Sequence, residues 1–218
     1  HISLGGYGRS EGFSEVCTNP TLLAAFIDSL VQFANNYDLD GIDFDWEFPE
    51  TAAELAGYQA LMEGVRDQGI ITSVALYPYS DLDPTPYMNV DRVHIMSYNR
   101  GIQHSTFETA VADLDLFESY GFPPEKLILG VPFYGRQTID PWGYSTYGQI
   151  VGWYSPGPEV DEIDNISFNG ANTIREKSCY VTANGYGGIM IWELAQDTTD
   201  LNTSLLQAIY AAVGGGCE

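Results

Sequence analysis

Asp40-Gly41-Ile42-Asp43-Phe44-Asp45-Trp46-Glu47 sets three carboxylates at alternate positions of an otherwise apolar, aromatic stretch. Successive side chains on a strand point to opposite faces, so Asp43, Asp45 and Glu47 share one face, and Ile42, Phe44 and Trp46 share the other. The second face is hydrophobic enough to pack under helices. Acids about 6.6–6.8 Å apart inside a protein cost stability, because each is desolvated and each repels the next. A solvated acidic edge would not be interleaved with Ile, Phe and Trp. The stretch therefore reads as a catalytic strand.

Working outward, strands alternate with amphipathic helices. Residues 1–5 read as a strand ending at Gly5-Gly6. Leu22, Phe26, Leu30 and Phe33 recur at helical spacing over Thr18–Asn35, with Thr18 or Asn19 and then Pro20 as the start signal. Helical patterns also cover about 51–66, 106–120, 171–184 and 201–213, and apolar strands about 70–77, 92–97, 127–133 and 188–192. The segment 137–169, rich in Gly, Pro, Tyr and Trp, predicts an irregular surface excursion. Residues 214–218 predict a frayed tail after a single domain at 1–213.

Six continuous apolar strands alternating with helices indicate a parallel sheet covered by helices. No glycine-rich phosphate loop follows any strand, which removes the nucleotide-binding version of such a sheet. Glu47 and several polar or aromatic residues fall at the C-terminal ends of strands, where the chemistry of a (β/α) barrel gathers. The barrel is the favoured reading.

Composition narrows the function. The 218 residues carry 8 Lys+Arg against 30 Asp+Glu, a formal charge of −22, which argues against nucleic acid or an anionic membrane as partner. No apolar run is long enough to span a membrane. The three histidines (His1, His94 and His104) are scattered, and Cys17, Cys179 and Cys217 show no CxxC spacing, so neither a metal nor a cofactor is expected. One disulfide plus one free thiol is compatible with three cysteines, and sequence does not choose the pair. Residues 1–6 already read as the inside of a fold, which places upstream sequence, with any targeting segment, outside this chain.

Asp40 to Glu47 resembles the DGxDxDxE signature of the family 18 glycoside hydrolases, the chitinase family. Ser3-Leu4-Gly5-Gly6 resembles its SxGG strand, Met96-Ser97-Tyr98 its MxY strand, Gly130 to Arg136 its seventh-strand segment and Gly187 to Glu193 its eighth. The resemblance implies an α/β fold of (β/α)8 TIM-barrel type, here with six of the eight strands, and a secreted, extracellular enzyme. It further implies endo-hydrolysis of β-1,4-linked N-acetylglucosamine in chitin or its oligosaccharides, with retention of configuration, the substrate supplying its own nucleophile. Glu47 would be the general acid. Asp45 would orient the N-acetyl group, Asp43 would adjust the charge of Asp45, and Tyr98 would bond the acetamido carbonyl. Gly6, Tyr7, Trp46, Met96, Asn99, Tyr134, Arg136 and Trp192 would contact substrate, Trp192 as an apolar floor. Trp142, Trp153 and Tyr154 offer further stacking faces, and Tyr77 and Asp81 could line the cleft.

Two departures qualify the match. Asn99 stands where the family usually has Asp. The SxGG strand is the third of the family barrel yet begins this chain, so a first-strand tyrosine that supports the Asp pair has no counterpart. Open strand edges then offer a route to self-association. The excursion before Gly187 is short for the insertion that deepens the groove in many relatives, so a shallow cleft is expected. The alternatives are an endo-β-N-acetylglucosaminidase, or a lectin-like chitin binder without activity.

Overall fold

The computed structural model describes residues 1–140 and 142–217 and divides into two compact units, His1–His94 and Ile95–Glu218. Pro141, within the predicted excursion, and Glu218, the last residue of the predicted tail, lie outside the described residues. The main sheet has six strands following one another in the order β1-β2-β3-β4-β5-β10, the succession of a (β/α) barrel.

The first unit holds β1 (Ile2–Gly5), α1 (Phe13–Thr18), α2 (Pro20–Asn36), β2 (Gly41–Asp45), α3 (Ala52–Arg66), β3 (Ile71–Leu76) and β4 (Arg92–Ile95), whose last residue opens the second unit. β1, β2 and β3 are parallel, and the register sets Ser3 beside Asp43 and Asp43 beside Ser73. The predicted start of α2 is correct: Asn19 caps it by accepting from the Thr21 and Leu22 N–H groups, with Pro20 in the first turn. The short α1 was not legible, because its six residues are too few to show a period. α3 opens on a capping box between Thr51 and Glu54. Its Tyr58 sets an edge against Trp46 at 5.2 Å and against Phe44 at 6.2 Å, while Phe13 of α1 stacks on Trp46 at 5.2 Å. The apolar face of β2 is thus an aromatic core.

Gly5 ends β1 at φ 101°, and a Cβ there would lie 2.1 Å from the Asp45 carbonyl oxygen. Only glycine lets the two chains approach this closely. Gly5→Ala is expected to cost at least about 1–3 kcal/mol from backbone strain alone. The urea midpoint should fall accordingly, and an unchanged midpoint would show that the junction relaxes freely.

In the second unit α4 (Phe107–Ser119) leads to β5 (Leu127–Pro132). A small antiparallel sheet then intervenes, built from β6 (Tyr134–Gln137), β7 (Tyr144–Thr146), β8 (Glu162–Ile163) and β9 (Ile166–Ser167) in the order β7-β6-β9-β8, with α5 (Tyr147–Tyr154) following β7. This corrects the irregular excursion expected over 137–169. Its strands are too short, at two to four residues, to display an alternation. α6 (Ala171–Ala183), β10 (Gly188–Trp192) and α7 (Leu205–Val213) complete the chain, and β10 lies parallel to β5. Cys179 of α6 and Cys217 form a disulfide, which corrects the frayed tail: the segment after α7 is tied to α6. Cys17 is the buried free thiol.

One buried cation is fully engaged. The Lys177 ammonium, on α6, donates to the Ser105 carbonyl at 3.0 Å, the Ser105 hydroxyl at 2.8 Å and Asn169 Oδ1 at 2.8 Å. The Ser105 hydroxyl in turn donates to the Ser97 carbonyl at 2.8 Å. Burial lowers the Lys177 pKa to about 7, against the opposing pull of Asp161, Asp113 and Glu108.

Candidate active site

β2 ends at Asp45, so Glu47 lies beyond the strand that the alternation predicted for it. The cause is local. The Trp46 N–H donates to the Tyr58 hydroxyl and the Glu47 N–H to the Ser10 hydroxyl at 3.0 Å, which takes both out of the ladder. The Glu47-Phe48 peptide is cis. The Glu47 carboxylate accepts from the Tyr7 N–H, and the Gly6 N–H donates to the Asp45 carbonyl at 2.6 Å. Gly6 and Tyr7 therefore act here through the backbone; the Tyr7 ring itself is 78% exposed.

The three carboxyls differ in surroundings. Asp43 Oδ1 accepts from the Ser73 hydroxyl at 2.7 Å and faces His94 Nδ1 at 3.1 Å, while Oδ2 accepts from the Ser3 hydroxyl at 2.8 Å. Burial alone would raise its pKa. The bond and charge of His94, then the bonds of Ser73 and Ser3, outweigh burial and hold Asp43 below the ordinary carboxylate range. Asp45 has the opposite fate. Burial, then the charges of Glu47 and Asp43, push it up to about 7, and its Oδ1 is buried with no partner among the described residues. Burial also raises Glu47, against the single bond from Tyr7. Asp45 thus holds its proton well above the pH at which a free carboxyl loses it, and Glu47 is shifted in the same direction.

Asp45 binds its proton more tightly in the folded chain than in the unfolded one, so its ionisation opposes folding. Between about pH 4 and about pH 7 its contribution to stability falls as pH rises, and it is constant above that window. The depressed Asp43 contributes in the other direction, with stability that is lost as pH falls through its folded value. Thermal melts across pH 4–7 should show Asp45→Asn flatter than the native chain; parallel curves would refute the assignment to Asp45.

A cleft of about 350 Å³ in the first unit is lined by Trp46, Phe48, Tyr77, Tyr79, Asp81 and Tyr87, among others. Phe48 and Tyr79 meet edge to face at 5.6 Å, and Tyr77 tilts on Tyr79 at 4.8 Å. Trp46, expected to contact substrate, is only 6% exposed and stacks in the aromatic core, so it is chiefly a floor beneath this cleft.

The second unit assembles the other expected residues. Tyr98 is buried and meets Tyr134 edge to face at 6.2 Å, and the Tyr134 hydroxyl donates to Asn99 Oδ1 at 2.9 Å. Asn99 adopts φ 60°, a conformation its short amide side chain tolerates. Gly130 explains itself here: a Cβ would meet the Ile95 carbonyl at 2.4 Å and the Tyr98 ring at 3.1 Å. Met96 is buried, which places it in the core, and Arg136 is half-buried on β6. Trp192 is 47% exposed at the end of β10, so it is not plain core. Trp142 and Trp153 are exposed, and the Tyr154 hydroxyl donates to Asp164 Oδ2 at 2.6 Å.

His94, Ser73 and Ser10 are the site residues that pattern reading passed over. The available signal was weak: a serine within Ile71-Thr72-Ser73-Val74 and a histidine within Arg92-Val93-His94-Ile95, each the exception in an apolar strand. No described group of His, Cys, Asp and Glu could hold a metal ion.

A barrel-type parallel sheet with acidic side chains at the end of a strand is the arrangement at which enzyme sites of this architecture gather. The chain belongs to the glycosyl hydrolases family 18, whose family model matches residues 1–197. It is 31% identical to a chitinase from the chitin utilization locus of Flavobacterium johnsoniae, with a TM-score of 0.85 over 97% of this chain and 73% of that one. Chitinase 63 of Streptomyces plicatus is 28% identical over 95% of this chain and 44% of its own length. Nod factor hydrolase protein 1 of Medicago truncatula is 29% identical over 73% of this chain and 50% of its own length. The chain thus spans about half the length of these curated relatives.

Proposed function

We propose that this chain is a secreted chitinase that cleaves β-1,4 linkages between N-acetylglucosamine residues within the polymer, with Glu47 as general acid. The observation that carries this reading is the ordering of proton affinity along β2 and just past it, low at Asp43 and raised at Asp45 and Glu47. A general acid must arrive protonated near working pH, and burial shifts Glu47 in that direction.

In this mechanism Glu47 gives its proton to the glycosidic oxygen as the bond to the anomeric carbon breaks. The acetamido carbonyl of the same sugar attacks that carbon and forms an oxazolinium ion. Asp45, its Oδ1 without a protein partner, accepts the acetamido N–H and carries the proton balance with Asp43. Water then opens the ion, with Glu47 now a base, and configuration is retained. In the second unit Trp192 offers an aromatic face to a pyranose ring.

Two further observations support the reading. The relatives named above include chitinases, and a disulfide of this kind persists in oxidising compartments. The test is release of product from N-acetylglucosamine oligomers, with the anomer of the fresh product read by proton NMR. Retained β-anomer is expected. No product, or the inverted anomer, would overturn the proposal.

A further inference from the structure

His94 meets the acid Asp43, and the mechanism above gives it no task. Its Nδ1 lies 3.1 Å from Asp43 Oδ1, with both side chains largely shielded at 19% and 13% exposure. Asp43 therefore faces three potential donors, the Ser3 and Ser73 hydroxyls and His94 Nδ1. A serine hydroxyl can rotate and accept instead of donate, so the serines alone do not choose between carboxylate and carboxylic acid. An imidazole with its proton on Nδ1 does choose, and a cationic imidazole chooses more firmly.

The other charged groups around His94 do not compete for that role. Strands β1, β3, β5 and β10 carry no titratable side chain. On its own strand Arg92 is exposed, and Asp91, just before that strand, is engaged with the Thr72 N–H at 2.8 Å and hydroxyl at 3.3 Å. Asp45 on β2 feels the charge of Glu47 and that of Asp43.

We propose that His94 is a positioning residue for catalysis: its Nδ1–H holds Asp43 as the anion, which confines the site's protons to Asp45 and Glu47. The inference rests on the reading of these acids as the catalytic set, and it adds the group that sorts their protons. Without His94, Asp43 would take up a proton at higher pH, and Asp45 would lose the neighbouring charge that keeps its own proton in place. The depressed affinity of Asp43 and the raised affinity of Asp45 are in line with this division.

Two measurements test it, and they fail separately. In the native chain, nitrogen-15 NMR of the imidazole should find the proton on Nδ1 whenever the ring is neutral. A neutral ring protonated on Nε2 would overturn the proposal, whether or not the chain turns over substrate. The second is the pH profile of kcat/KM on short N-acetylglucosamine oligomers for the native chain, His94→Asn and His94→Gln. Removing the Nδ1–H donor should move the acid limb up by about one pH unit or more, while activity at the optimum changes less. An unmoved limb, or a uniform drop at every pH, would reduce His94 to packing and sink the idea. A native chain without product would instead remove the parent reading and leave the NMR result to decide the state of His94.

Discussion

Glu47→Gln should lower turnover of N-acetylglucosamine oligomers by about a hundredfold to ten-thousandfold, the range that a positioned general acid supplies. The amide keeps the shape of the carboxyl and can still accept from the Tyr7 N–H, so the loss is one of proton donation. Stability should move the other way or not at all. Burial makes the ionised form of Glu47 costly, and an amide removes that cost. Oligosaccharide affinity should survive, which calorimetry on the variant can check. A variant that loses both turnover and melting temperature would assign Glu47 a structural role, and equal turnover would exclude it as the acid.

The second large effect concerns folding rather than chemistry. Replacing Cys179 and Cys217 together by serine should cost about 4 kcal/mol, because the bridge closes a loop with a separation of 38 residues and removes that loop's freedom from the unfolded chain. Urea melts of the oxidised native chain and the double variant would show a lower midpoint. The third cysteine should not interfere: burial, then the charge of Glu54, push the Cys17 thiol up to about 12, so it is a poor nucleophile at neutral pH. Equal midpoints would show that the α6–α7 packing holds the end of the chain without the bridge.

Much of this molecule is legible in its sequence. Long, strongly periodic elements such as α2 and α3, and unbroken apolar strands such as β5 and β10, announce themselves because burial dictates their residue types. The acids of the site were visible for the same reason in reverse, as charges where apolar side chains belong. What sequence did not display was lateral. Ser3, Ser73 and His94 are ordinary residues until the register brings them against Asp43, and no spacing along the chain encodes a neighbour 30 or more positions away. The small antiparallel sheet was missed because its strands are shorter than the period needed to recognise them. The disulfide partner depended on α6 and α7 meeting, a tertiary event.

The register that places Ser3, Asp43 and Ser73 abreast has a consequence for how the sheet assembles. A slip of one residue between neighbouring strands reverses faces, and a slip toward the strand ends would set Asp43 against Leu4 and Val74 in place of the two serine hydroxyls. A carboxylate buried without partners costs several kcal/mol, a penalty large against the stability of a whole domain. Such misaligned pairings are expected to be penalised by the same charge that the mature site uses. The acid strand proofreads its own alignment.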